Sequence, residues 1–190
     1  MSWKDAPAWL PKFRRALVRL ARPDDPDRAM MAHLRRGFND PLHAQLFAGK
    51  LLRDAQGESE AYYDAAFLAS ITFAWAHGNC GHQRGVNFGA AFGTMPGAIS
   101  GTEEQDKFRK QRQGRFFALV KTDSTDLRYR LRQTIALLAR DSVPIDWELF
   151  VLHLVRWDQA DRPVQKRWAQ GFWGRPARAA AAETTVPAPS

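Results

Sequence analysis

Apolar residues recur every three or four positions along most of this chain, the period of helices with one buried face. Over residues 8–21, Trp9, Phe13, Leu17 and Leu20 share helical spacing, with Arg14, Arg15 and Arg19 elsewhere on the cylinder. The Pro23-Asp24-Asp25-Pro26-Asp27 cluster interrupts that helix, since proline lacks an N–H and pushes its predecessor out of helical geometry. A second helix follows over about 27–37 with Met30, Met31 and Leu34, and Gly37 and Asn39 read as its stop. Pro41 opens a third, whose apolar positions are Leu42, Leu46 and Phe47, running to about Asp54. The most apolar helix covers about 60–77 and carries Tyr63, Phe67, Leu68, Ile71 and Trp75, the pattern of a core element.

The middle of the chain is rich in glycine. Residues 77–85 read as loop, 87–92 as a short helix and 94–102 as loop again. A basic helix then spans about 103–121, and Asp123 or Ser124 is placed to cap a further helix ending at Arg140. Asp146 caps the next, with Trp147, Phe150, Val151 and Leu154 as its stripe, and Pro163 starts the last, which ends at Trp173. Neither an internal repeat nor strand-type alternation is present. The expectation is an all-α fold of about eight to nine helices, in two small bundles joined by a Gly-rich loop region. Residues 1–85 form the N-terminal helical lobe and 86–174 the C-terminal helical lobe with a basic groove. The alanine- and proline-rich stretch 175–190 is expected to be a disordered tail.

Charge narrows the possible partners. The 190 residues carry 28 Lys and Arg against 20 Asp and Glu, a formal net charge of +8. Such an excess suits a polyanion, either nucleic acid or an anionic membrane surface. Arginine outnumbers lysine, and its planar fork grips phosphate and stacks on bases, which favours nucleic acid. The single cysteine, Cys80, rules out an internal disulfide and fits a reducing compartment. The N-terminus lacks the layout of a signal peptide. The apolar run 65–76 is broken by Ser70 and Thr72 and is too short to span a bilayer. The expected location is cytoplasmic, with no membrane partner.

The basic helices hold the candidate binding residues. Phe108, Phe116 and Leu119 define one face of the 103–121 helix, and Arg112 and Arg115 fall on that same face. Their long stems either snorkel along the edge of a core or emerge into a charged groove. On the next helix Arg128 and Arg132 flank the Leu127, Leu131, Ile135, Leu138 stripe, and Lys121 lies at the junction. A groove lined by Arg112, Arg115, Lys121, Arg128 and Arg132 would track a sugar-phosphate backbone without reading bases. Arg35 and Arg36 end the second helix, where the helix dipole alone favours cations.

Enzymatic chemistry has thinner support. His77-x-x-Cys80-x-His82 is a fragment of a metal site, but zinc needs three or four ligands and there is no second cysteine; a polar loop is the simpler reading, and no metal or cofactor is expected. The Arg28-x4-His33 spacing resembles that of HEPN-type ribonucleases, with His33 as acid or base and Arg28 on the phosphate. Met30, Met31 and Leu34 mark the same helix as a packing element. Trp147, Trp157, Trp168 and Trp173 read as core or interface anchors, with Trp3 and Trp9 as further interface candidates.

Several local patterns together resemble the small subunit of the type I-E CRISPR Cascade complex, the CasB family. They are Leu34-Arg35-Arg36, Asn87-Phe88-Gly89 after a loop, and Arg115-Phe116-Phe117 leading to Asp123. Leu131-Arg132 then opens an apolar helix, Pro144-Ile145-Asp146-Trp147 starts the next, and Arg167-Trp168-Ala169-Gln170-Gly171-Phe172 closes the run. The similarity is strongest over 87–173. One departure is Gly114, at a place where the family often has an arginine beside Arg115.

The resemblance implies a non-enzymatic, all-α scaffold subunit of a CRISPR RNA-guided surveillance complex in antiviral defence. Its implied partners are CRISPR RNA, target DNA with its displaced strand, the backbone and large subunits of Cascade, and a second copy of itself. The phosphate contacts that carry over are Arg36, Arg115, Lys121 and Arg132, with Arg35 beside Arg36. The competing expectations are the Arg28/His33 ribonuclease and a basic module that meets an acidic protein.

Overall fold

The computed structural model describes residues 6–95 and 103–174. Among them are nine α-helices and no named strand. They are α1 (Leu10–Arg19), α2 (Arg28–Arg36), α3 (Pro41–Gln56), α4 (Glu60–Trp75), α5 (Phe88–Thr94), α6 (Glu103–Lys121), α7 (Ser124–Arg140), α8 (Trp147–Val155) and α9 (Pro163–Trp173). Short polar side chains start most of them. Asp27, Asp40, Ser59, Asn87, Asp123 and Asp146 each accept a hydrogen bond from a backbone N–H in the first turn, satisfying donors the helix itself leaves open. The all-α expectation holds. Trp3 and the 175–190 tail lie outside the described residues.

α4 is the central strut. It packs on α2 and α3 on one side and on α7 and α8 on the other, and nine of its residues, from Ala65 to Ala74, are buried. The boundary expected near residue 85 falls in the loop between α4 and α5, and the buried residues continue across it as one cluster. Arg14 on α1 reinforces this join, its Nε donating to Glu148 on α8 at 3.0 Å.

The pairing of α3 with its neighbours differs from the sequence expectation. Leu42, Leu46 and Phe47 face outward, 68%, 75% and 41% exposed, while Ala44, Ala48, Leu52 and Ala55 are buried. The reason is close approach. Gly37 sits so near α3 and α4 that a Cβ there would lie 2.9 Å from Ala44 and 2.5 Å from Ile71, so only small side chains fit that face of α3.

The same device locks the C-terminal half. α5 and α9 cross with their backbones nearly touching: a methyl group on Gly89 would strike the Trp168 carbonyl, and one on Gly93 the Phe172 carbonyl. Phe88 stacks on Trp168 with ring centroids 4.7 Å apart, and Phe116 on Phe172 at 4.6 Å. Three buried tryptophans find partners for their indole N–H groups: Trp147 donates to the Cys80 carbonyl, Trp157 to the Thr122 carbonyl and Trp168 to His153 Nδ1, while the Trp9 Nε1 has none among the described residues. Trp173 instead lies 67% exposed.

Candidate nucleic-acid interface

The Pro-x-Asp-Trp start of α8 ties the glycine-rich loop in place. Buried Asp146 caps α8 through the Glu148 and Leu149 N–H groups, and its second oxygen accepts from the Gly85 N–H at 2.7 Å. His82 and Ile145 form an isolated parallel bridge, with the Ile145 N–H donating to the Gly81 carbonyl and the Gln83 N–H to the Ile145 carbonyl. Burial holds the His82 imidazole below its ordinary pKa, against the opposing pull of Asp146. The loop is therefore fixed, and with it the end of α4.

Around that end a basic surface assembles. The Arg132 guanidinium, from the middle of α7, lies 4.0 Å from the centre of the Trp75 ring, and its Nη1 donates to Asn39 Oδ1 at 2.9 Å. Trp75 is held edge-on against Phe38 at 5.5 Å. Arg35 reaches across from α2 and its Nη1 donates to His77 Nδ1 at 2.7 Å. Arg140 closes the far side, sharing a cavity with Arg35, Trp75, His77 and Asn79. Arg36 is exposed at the same end of α2, its carbonyl accepting from the Asn39 N–H. Arg128 lies one turn before Arg132 on the same side of α7 and is exposed.

Of the seven sequence candidates, Arg35 and Arg132 reach this surface, while Arg36 and Arg128 lie exposed beside them on α2 and α7. Arg112 borders Arg140 but is turned into the protein. It is 7% exposed, its Nη2 sits 3.4 Å from Asp141 Oδ2, and its guanidinium covers the Phe108 ring at 4.4 Å. Arg140 covers the same ring, also at 4.4 Å. Burial lowers the Arg112 pKa and Asp141 draws it back up. The snorkelling reading fits this side chain, which packs α6 on α7. Arg115 and Lys121 are both exposed, yet they lie six positions apart, so they leave α6 about 120° apart. One groove along α6 does not collect both.

Trp75, Asn39, His77 and Arg140 are the members that sequence reasoning missed. Trp75 reads as core from its helix, and only the crossing of α4 with α7 reveals its half-exposed face. The three residues of the metal-like fragment part company. His77 faces Arg35, His82 faces Asp146, and Cys80 is buried with its thiol pushed up to about 12 by burial. Among the described residues no three His, Cys, Asp or Glu side chains group to hold a metal ion. Arg28 and His33 are five residues apart on α2 and so point about 140° apart. His33 stacks on Phe47 at 3.5 Å and its Nδ1 lies 3.0 Å from His43 Nε2, so the two do not form a common site.

No helix of the described residues is long and apolar enough to cross a membrane. Residues 30–173 match the family described as CRISPR-associated protein Cse2. The Cse2 protein of Thermus thermophilus is 30% identical over 119 residues, 63% of this chain and 59% of that relative's length. The crystal structure of a Cse2-family protein from the same organism superposes with a TM-score of 0.66 at 25% identity, covering 90% of this chain and 99% of the other. A chain from Escherichia coli Cascade bound to a PAM-containing double-stranded DNA target shares the fold, with a TM-score of 0.58 at 19% identity over 88% of this chain and 93% of that one. With Asn87-x-Gly89, Pro144-x-Asp146-Trp147 and the Arg167–Phe172 run each given a structural job above, the chain belongs to the Cse2 family of CRISPR-associated proteins.

Proposed function

We propose that this chain is a non-enzymatic subunit of a Cascade surveillance complex and holds nucleic-acid backbone on the surface around Trp75. The observation that carries the reading is the seating of Arg132 on the Trp75 ring, with Arg35 and Arg140 lining the cavity beside that ring at the meeting of α2, α4 and α7. Guanidinium groups are weakly hydrated and always charged, so they pair with phosphate readily. Arg132 is preset by its stacking on Trp75 and its bond to Asn39, which reduces the side-chain ordering a ligand must impose. Arg36 and Arg128 extend the track, and Arg115 and Lys121 offer further phosphate or subunit contacts on two other faces.

Guide-directed recognition leaves sequence reading to base pairing, so backbone contacts suffice for such a subunit. Exchange of a DNA duplex for an RNA–DNA duplex is nearly balanced in energy, and a modest hold on the displaced strand tips it. The test is a pull-down of the tagged chain from its native cells with and without ribonuclease. Recovery of a large ribonucleoprotein containing repeat-derived guide RNA is expected. Recovery of the chain alone, or with an RNA-free partner, would overturn the reading.

A further inference from the structure

α4 ends at Trp75 and the chain turns away through two left-handed residues, His77 with φ 54° and Gly78 with φ 73°. The turn closes with the His77 N–H donating to the Ala74 carbonyl and the Gly78 N–H to the Phe73 carbonyl. Gly78 has to be glycine, because Ala21 occupies the space of any side chain there. At His77 an L-residue bears a steric cost that glycine avoids. The two bonds are those of a Schellman helix end, which calls for a left-handed residue at position 77 but favours glycine there over histidine. A cation at the negative end of a helix is favoured, which accounts for Arg35 and Arg36 on α2 and Arg140 on α7. The His77 Nδ1, however, faces an arginine N–H at 2.7 Å, so that nitrogen accepts and carries no proton.

The consequence is a fixed tautomer. With Nδ1 accepting, Nε2 is the ring nitrogen left to donate. His77, Arg35, Arg140 and Asn79 line one cavity of about 290 Å³, with the Trp75 ring and the methyl groups of Ala136 and Ala139 as its apolar wall. The Arg35 guanidinium, the Asn79 amide and an imidazole N–H beside an aromatic face, with Arg140 held at the rim by Asp141 and Phe108, match one phosphodiester and its neighbouring sugar or base.

We infer that His77 is a ligand-contacting residue, and that with Arg35 and Arg140 it seats a single phosphodiester of the bound strand. This rests on the interface reading above and narrows it to one cavity. Glycine caps such a helix end at lower cost, so histidine at this position is retained for binding at the expense of stability.

The test uses the full chain, a fluorescein-labelled oligodeoxythymidylate followed by anisotropy over a salt series, and thermal melts of the same samples. His77→Gly relieves the left-handed strain and removes the donor, so Tm is expected to rise by about 2–4 °C while affinity falls about tenfold. His77→Ala keeps the strain and is expected to lose the same affinity with no gain in Tm. If His77→Gly binds like the parent while parental binding still weakens with salt, the seat is overturned and the interface reading stands. A Tm that fails to rise in His77→Gly overturns the strain argument and the seat with it. Parental binding that is indifferent to salt overturns both readings.

Discussion

Arg112 and Arg132 are the same residue type on adjoining helices, and their surroundings give them opposite tasks. Arg132 covers an aromatic ring and donates to Asn39 at the surface. Arg112 is enclosed and tied to Asp141, which also meets Arg140 Nε at 3.1 Å. Asp141→Asn therefore withdraws this counter-charge from a buried guanidinium, and should lower stability by about 3 kcal/mol in urea unfolding. His153 makes a second residue-level prediction. It accepts from Trp168 Nε1 at 2.8 Å, and burial, with Arg167 and Arg156 adding to it, pushes its pKa down to about 3. Its folded pKa lies below that of the unfolded chain, so unfolding takes up a proton in acid. This contribution to stability is intact above about pH 6.5 and is lost as pH falls from there towards the folded value, at up to about 1.4 kcal/mol per pH unit. Melting curves between neutral pH and mild acid should show that decline, and His153→Gln should flatten it.

At the scale of elements, the α5–α9 crossing is the tightest joint. Gly89 meets the Trp168 carbonyl, which is backbone and cannot swing aside. Gly89→Ala should separate the two helices and cost about 2–3 kcal/mol, in the range of overpacked cores, while Gly114→Ala, which has open space around it, should gain up to about 1 kcal/mol from helix propensity alone. Urea midpoints of the two variants would check both signs. The starts and stops of helices were readable because capping is local: Asp123, Asp146 and Pro163 announce α7, α8 and α9 within a residue of where they begin. Faces were less readable where two helices touch through small residues. Leu42, Leu46 and Phe47 dominate any hydropathy count for α3, yet Gly37 and Ala44 decide which side goes in. Half of the interface was hidden for a related reason. Arg35, Arg36, Arg128 and Arg132 stand out as charge at helix ends and faces, whereas Trp75, Asn39 and His77 join only through a three-helix crossing far apart in sequence.

For the molecule as a whole, a formal net charge of +8 makes salt the sharpest probe. Single-strand affinity should fall linearly on a log–log plot of salt, with a slope of about −0.7 per phosphate neutralised. Arg36→Ala and Arg132→Ala should each make that slope shallower by about 0.7. Arg112→Met, which removes a charge turned into the protein, should leave the slope unchanged. If all three arginines shifted it equally, distributed net charge rather than a localised surface would govern binding.

The crossing of α5 with α9 also sets a timetable for synthesis. Phe88 and Phe116 stack on Phe92, and Phe88 on Phe150, but the closer stacks on Trp168 and Phe172 come only from α9, so a nascent chain translated as far as α8 carries those rings only partly covered. Contacts between segments this distant in sequence form slowly, and exposed apolar surface in the interval invites aggregation. α9, the last helix among the described residues, is thus the one that covers the earlier ones, and premature termination inside it would release a sticky intermediate rather than a shortened scaffold.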